Sequence, residues 1–202
     1  GLLIQSCIGN VANAVLKALE NCTELPPLDL YSEVLQDSVI ELMERGRVNA
    51  GSTCSLSLSQ ECLQHVYDNL DFFRDKLVLR PSEISNCPEI IARLGICSIN
   101  TAIEVDIYGH VNSTKICGSK MMNGVGGSCD YTCNSMLSTF TCTSTQKGGT
   151  ISSIVPFCSH IDHTEHYVDA IVTEYGVADL RNKCATEKAE ALIAIAHPDY
   201  RP

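Results

Sequence analysis

Glu33, in the stretch YSEV (residues 31–34), is a single carboxylate placed where an extended apolar segment gives way to the apolar repeat of a helix. A loop carboxylate at a strand end can be presented to a ligand; taken alone, the same residue also reads as an ordinary solvated side chain. CIGNVANAV sets Gly9 between an apolar strand and a helix, so backbone N–H groups can face an anion there, or the glycine simply makes a tight turn. NGVGGSCDY packs Gly124, Gly126 and Gly127 into four residues, which permits backbone conformations and close ligand approach that side chains block. It lacks the Walker lysine and the dinucleotide spacing, and a plain glycine turn is the competing reading. CSHIDHTEH spaces His160, His163 and His166 three apart with Asp162 and Glu165 between them. Steps of three drift round a helix, and neither HExxH nor a Cys-His zinc pattern is present, so packed or solvated histidines read better than a metal site. Glu104 and Asp106 share a face if IEVDIYG is a strand, where acid-base work competes with a charged face beside a turn.

The elements that must position these groups alternate. Val11, Val15, Ala18 and Leu19 behind Asn10 predict a helix. The prolines of PPLDLY exclude one, so Leu28 to Tyr31 is expected to form a short strand ending just before Glu33. Leu35, Val39, Leu42 and Met43 give one face of a second helix that Gly46 can terminate. KLVLRP follows as a strand, PEIIARLG as a helix, and ICSINTAIEVDIYGHVNST as two strands or one bent strand turning at Gly109. STFTCTST, TISSIVPF and VDAIVTEYG carry further strand signals, before a last helix around EKAEALIAIAH. Helices alternating with strands apolar on both sides predict one α/β domain with a largely parallel sheet.

Composition narrows the partners. With 24 acidic against 14 basic residues, the net charge of −10 argues against a nucleic-acid partner. A phosphorylated small ligand stays open, because a few lysines and an amide loop suffice for one phosphate group. No window approaches the ~18 uninterrupted apolar residues of a membrane helix. The twelve cysteines of this 202-residue chain follow no compact framework spacing and mostly sit beside apolar or small residues, as Cys97 and Cys158 do. They read as reduced, packed thiols, which favours a reducing compartment. The start, GLLIQ, enters a strand at once, without a signal-peptide pattern or an initiator methionine, as expected of part of a longer protein.

Taken together, CIGNVANAV, YSEVLQD, LRPSEISN, INTAIEVDIYGHVNST, GSKMMNGVGGS, STQKGGTISSIVPFCSHIDHTEHYVDAIVTEYGVADLR and AHPDYRP resemble the acetyl-CoA hydrolase/transferase family. Within it they are most similar to the succinyl-CoA:acetate and related short-chain acyl-CoA CoA-transferases. The resemblance runs nearly end to end and covers the C-terminal half of such an enzyme. It implies a three-layer α/β/α CoA-transferase-like domain over residues 1–202, with a largely parallel or mixed sheet, that completes its site with an absent N-terminal half. Glu33 matches the family's nucleophile and would form a glutamyl-CoA thioester during transfer of coenzyme A between a short-chain acyl-CoA and a carboxylate.

The same resemblance places Ile8, Gly9, Asn10, Val11, Asn123, Gly127 and Lys147 at the acyl-CoA site, with Gly127 as an oxyanion donor, Asn123 and Lys147 as CoA contacts, and Asn86 and Glu174 in support. It returns Glu104 and the three histidines to structural roles. Coenzyme A enters as substrate, with no permanently bound cofactor and no metal. The expected partners are acyl-CoA and small carboxylates, with no nucleic acid and no membrane, in a homodimer when full length; the expected place is the cytoplasm, with an organelle such as the mitochondrion as the alternative. Acyl-CoA hydrolysis on the same scaffold, or a non-catalytic half-domain, are the alternatives. Cys7, Ser38, Cys129, Gln146 and Asn182 depart from the family's usual residues.

Overall fold

The computed structural model describes residues 2–7, 9–20, 22 and 24–202. It is mixed α/β with a large, mostly parallel sheet, and its residues group into two compact units, 1–99 with 134–136, and 100–133 with 137–202.

In the first unit, β1 (Leu3–Ser6), α1 (Asn10–Glu20), β2 (Leu28–Tyr31), β3 (Val34–Gln36) and α2 (Asp37–Glu44) come first. They are followed by β4 (Val48–Thr53), β5 (Ser55–Ser57), α3 (Gln60–Asp68), α4 (Leu70–Phe73), β6 (Leu77–Leu79), α5 (Ser82–Ser85), α6 (Pro88–Leu94) and β7 (Cys97–Thr101). β1 pairs in parallel with β2 and β7, β2 with β4, and β4 with β6.

The helix expected behind Asn10 forms as α1, and one expectation, the place of Leu35, is corrected. The buried face of α1 centres on Ala12 and Leu16, while Ala18 is exposed; at about 100° per residue, Ala18 lies well round the helix from that pair. Leu35 is not part of α2: it sits on β3, paired with Leu56 of β5. That pairing is between residues about twenty apart in sequence, which a local helical period cannot reveal. Val39, Ile40, Leu42 and Met43 do bury together, and the turn after α2 closes at Gly46 (φ +68°), whose N–H donates to Met43 while that of Arg47 donates to Leu42. Gly51 of β4 leaves room for this packing, since a Cβ there would lie 2.8 Å from Leu35 and 2.9 Å from Met43.

In the second unit, β8 (Glu104–Asp106) and β9 (Val111–Asn112) form an antiparallel hairpin turning at Gly109. β10 (Lys115–Ile116) and β11 (Lys120–Met121) form another, ahead of α7 (Ser128–Asn134) and β12 (Leu137–Thr141). β13 (Thr145–Gln146) and β14 (Ile151–Ser152) pair around the KGG loop, and β15 (Ile154–Val155) runs parallel to β8. β16 (Ala170–Thr173) runs parallel to β12 and antiparallel to β17 (Gly176–Asp179), and α8 (Ala185–Ile195) closes the unit. Phe140, Ile171, Leu180, Leu192 and Ile195 lie in its core. Among the described residues, no helix is long and apolar enough to cross a membrane.

Candidate active site

β1, β2, β4 and β6 run parallel, so Ser6, Tyr31, Thr53 and Leu79 end on one edge of the first unit, the edge where open parallel sheets take ligands. Glu33 lies there, half-buried, in the two-residue break between β2 and β3. Its main chain is held from β4 and the turn after it. The Glu33 carbonyl accepts from the N–H groups of Cys54 and Ser55, both at 3.1 Å, from Thr53 Oγ1 at 2.7 Å and from Cys54 Sγ at 3.1 Å. Ser32 closes the break from the other side, donating its N–H to Ser52 and its hydroxyl to the Ser6 carbonyl, both at 3.0 Å. Burial, and then the Glu33 charge, raise the Cys54 thiol above its ordinary range.

The turn after β1 stands on the same edge. Gly9 has φ +127°, and Asn10 and Val11 open α1. Ile8 lies outside the described residues. The side chain of Gln36 ties this turn to the Glu33 segment, its Oε1 accepting from Gly9 N–H at 3.4 Å and its Nε2 donating to the Cys7 carbonyl at 3.3 Å. Asn86 caps α5, where the Tyr31 hydroxyl donates to the Ile84 carbonyl at 2.7 Å. The sequence reading missed Thr53, Cys54 and Gln36. The signal available was a run of small polar residues, GSTCS, across the end of β4 and the turn after it.

Asn123, Gly127, Lys147 and Glu174 belong to the second unit. Asn123 N–H donates to the Thr114 carbonyl at 3.2 Å and its Nδ2 to the Ser113 carbonyl at 3.4 Å. Gly127 is buried, and its carbonyl receives the Tyr131 N–H at 3.1 Å. Lys147 is exposed with φ +48°, the first of three successive left-handed residues with Gly148 and Gly149. Its loop is tied down by the Tyr200 hydroxyl, which donates to the Gly149 carbonyl at 2.9 Å. Glu174 accepts from Ser144 N–H at 2.8 Å and from its hydroxyl at 2.5 Å. Burial works to raise its pKa, but these hydrogen bonds outweigh it and leave the carboxyl below the ordinary range.

The remaining motifs take partners inside their own unit. Glu104 accepts from Asn112 Nδ2 at 2.9 Å and from both the N–H and the hydroxyl of Ser159. Asp106 accepts from the N–H groups of Tyr108 and His110 across the Gly109 turn. His160 meets Asp162 at 3.1 Å, while His163 is buried against Phe140. Among the described residues, no three His, Cys, Asp or Glu side chains are grouped to hold a metal ion.

Residues 63–202 match the acetyl-CoA hydrolase/transferase C-terminal domain, and the chain belongs to that family. It is 49% identical over 201 residues to the propanoyl-CoA:succinate CoA transferase of Escherichia coli (strain K12), covering 99% of this chain and 41% of that protein. Against the succinyl-CoA:acetate CoA-transferase of Clostridium kluyveri the identity is 55% over 201 residues, with 99% and 37% covered. Among solved structures, the 4-hydroxybutyrate CoA-transferase of Porphyromonas gingivalis superposes with a TM-score of 0.80 at 30% identity, covering 100% of this chain and 49% of that one. The chain thus spans about two-fifths of the length of these two curated relatives.

Proposed function

We propose that this chain supplies the nucleophile of an enzyme that transfers coenzyme A between a short-chain acyl-CoA and a carboxylate, with Glu33 as that nucleophile. A Glu33 carboxylate oxygen attacks the thioester carbonyl, the C–S bond breaks, and CoA leaves as thiolate from an acyl-glutamyl anhydride. The thiolate then attacks the glutamyl carbonyl, the anhydride C–O bond breaks, and the first acid departs as its carboxylate. The acceptor carboxylate runs the same two steps in reverse on the glutamyl-CoA thioester. Each step conserves one activated acyl group and consumes no proton, so covalent catalysis replaces one difficult exchange with easier ones.

The observation that carries this reading is the fixed main chain of Glu33 at the carboxyl edge of the parallel strands, linked through Gln36 to the Gly9 turn. Negative charge develops on a carbonyl oxygen in every attack, and backbone N–H groups of the 8–11 turn and of Gly127 are the donors assigned to it. Lys147 is assigned to a CoA phosphate, as a point charge in a chain of net charge −10, and Asn123 to a further CoA contact. Asn86 and Glu174 are assigned supporting roles. The family's description also covers hydrolysis, in which water resolves the intermediate; turnover that does not depend on an added carboxylate would select that reading.

The deciding experiment is mass spectrometry of this chain, and of a version carrying the N-terminal half its relatives possess, after incubation with acetyl-CoA or succinyl-CoA. A CoA adduct on Glu33, absent in Glu33→Gln, is expected, together with a loss of turnover of at least about a thousandfold in that variant. Turnover of acyl-CoA by the longer protein with no adduct on Glu33 sinks the assignment.

A further inference from the structure

The IDHTEH stretch has no part in the chemistry above, yet its residues reach both ends of the glycine loop within the second unit. At one end, Asp162 Oδ2 accepts the N–H groups of Ser113 (2.8 Å) and Thr114 (3.0 Å), and Thr114 Oγ1 donates to the same carboxylate at 2.9 Å. The carbonyls of Ser113 and Thr114 in turn receive the side chain and the N–H of Asn123. At the other end, His163, 3% exposed, brings Nε2 to 3.2 Å from Ser128 Oγ, the residue that follows Gly127.

Proton accounting assigns a direction to that contact. Ser128 has one hydroxyl proton, donated to the Val125 carbonyl at 2.7 Å, so toward the imidazole it can only accept. Ser113 Oγ, 3.5 Å from the same nitrogen, has its proton directed at Asp162, so it too can only accept. Nε2 therefore carries the ring proton, and in the neutral ring Nδ1 is bare. Cys129 Sγ lies 3.9 Å from Nδ1 and, with its thiol raised by burial and by the nearby Cys133 and Asp130, it is the donor. The hydrogen bonds run one way: Cys129 S–H to His163 Nδ1, His163 Nε2–H to Ser128 Oγ, Ser128 O–H to the Val125 carbonyl inside the glycine loop.

We infer that Asp162 and His163 are positioning residues for the Asn123–Gly127 loop, with His163 acting as a neutral strut of fixed tautomer. This rests on the reading of that loop as an acyl-CoA contact. A second ring proton would land on Nδ1, facing the thiol, and reverse the sense of the chain at that point. Burial holds the ring below the ordinary histidine range against the opposing pull of Asp162. Asp162 on its own segment and Cys129 on α7 are the titratable groups facing it, since Phe140 of β12 and Val111 of β9 bring no charge.

The first test is side-chain nitrogen NMR of His163 in this chain, expected to show a neutral ring protonated at Nε2 at neutral pH. A ring protonated at Nδ1, or an imidazolium, overturns the inference. Amide exchange of residues 123–127 is then compared in wild type, Ser128→Ala, His163→Leu and His163→Gln, whose amide restores a donor near Nε2. Ser128→Ala loses its bonds to both Val125 and His163, and His163→Leu loses those to Ser128 and Cys129, so exchange should speed at least about tenfold in these two variants, with partial recovery in His163→Gln. Should His163→Leu fail to fold, Ser128→Ala decides alone, and unchanged exchange in it rejects the strut.

These readings need no turnover, so they separate from the fate of Glu33. A missing CoA adduct with the expected tautomer and exchange defeats the nucleophile and the loop's catalytic relevance together, and leaves only a structural strut. Where the adduct does form, Ser128→Ala should form it about tenfold more slowly. An unchanged rate removes the positioning role.

Discussion

The Glu33 segment and the glycine loop are held by opposite means. Glu33 is fixed through its own carbonyl by a hydroxyl at the end of β4 and by backbone N–H groups and a thiol from the turn after it, so its place follows from strand register. The glycine loop is tied at its Asn123 end to the Ser113 and Thr114 carbonyls, whose segment Asp162 holds in turn, and at its Ser128 end by His163, two side chains brought from some 35 to 50 residues downstream. A site residue at a strand end inherits the rigidity of the sheet, whereas one on a glycine-rich loop needs buried polar groups assigned to it. The first arrangement should tolerate the loss of any one contact better than the second.

The sharpest break in that comparison should come from Gly118→Ala. Gly118 sits at φ +70°, and a Cβ there would lie 2.6 Å from the Ser159 carbonyl oxygen. Strain and backbone collision together should cost roughly 2 to 4 kcal/mol, read as a lowered midpoint of chemical denaturation, and should disturb the hairpin that leads into Asn123.

Asp162→Asn should cost less, about 2 kcal/mol, because one oxygen loses its charge among the N–H and hydroxyl donors. The pH dependence gives an independent check. Burial works to raise the Asp162 carboxyl, but Ser113, Thr114 and the His160 charge outweigh it and hold it below the ordinary range. A depressed folded value means that its stabilisation is in force above the ordinary carboxylate range and is lost as pH falls through the folded value. Acid unfolding of the wild type should therefore be steeper over that window than that of Asp162→Asn.

The smallest effect is expected from Thr53→Val. It removes one of the groups donating to the Glu33 carbonyl and leaves the backbone N–H groups in place, for about 1 kcal/mol by thermal melting. A loss as large as that of Asp162→Asn would erase the contrast between the two regions.

Much of the scaffold was legible locally. The prolines before Leu28 and the gap between strands at Ser32 and Glu33 bound β2 as the sequence implies, and Pro88 and Gly95 bracket α6 by helix-end chemistry that needs no tertiary knowledge. What escaped was non-local. β3 exists because residues 55–57 arrive beside it, and no apolar period can announce that. His163 could be read as packed or solvated but not as partnered, because Ser128 and Ser113 lie 35 and 50 residues away in the chain. Gln36 falls inside the Leu35–Met43 stretch that reads as one helix, and its two contacts to the Cys7–Gly9 turn span 27 and 29 residues.

The cysteines have a practical meaning outside catalysis. None of the twelve forms a disulfide among the described residues, and several are poor thiolates. Burial and then the Asp37 charge push Cys62 up to about 11, and burial with Glu174 pushes Cys142 up to about 12. An unfolded cysteine near the ordinary value of about 8.5 is ionised at neutral pH on the order of hundreds of times more than folded Cys62 and thousands of times more than folded Cys142, and alkylating reagents see only the ionised form. Cys62 belongs to the first unit and Cys142 to the second. Each unit thus carries its own silent label, and a timed pulse of alkylation, read by which of the two sulfurs gains mass, would report which unit opens first.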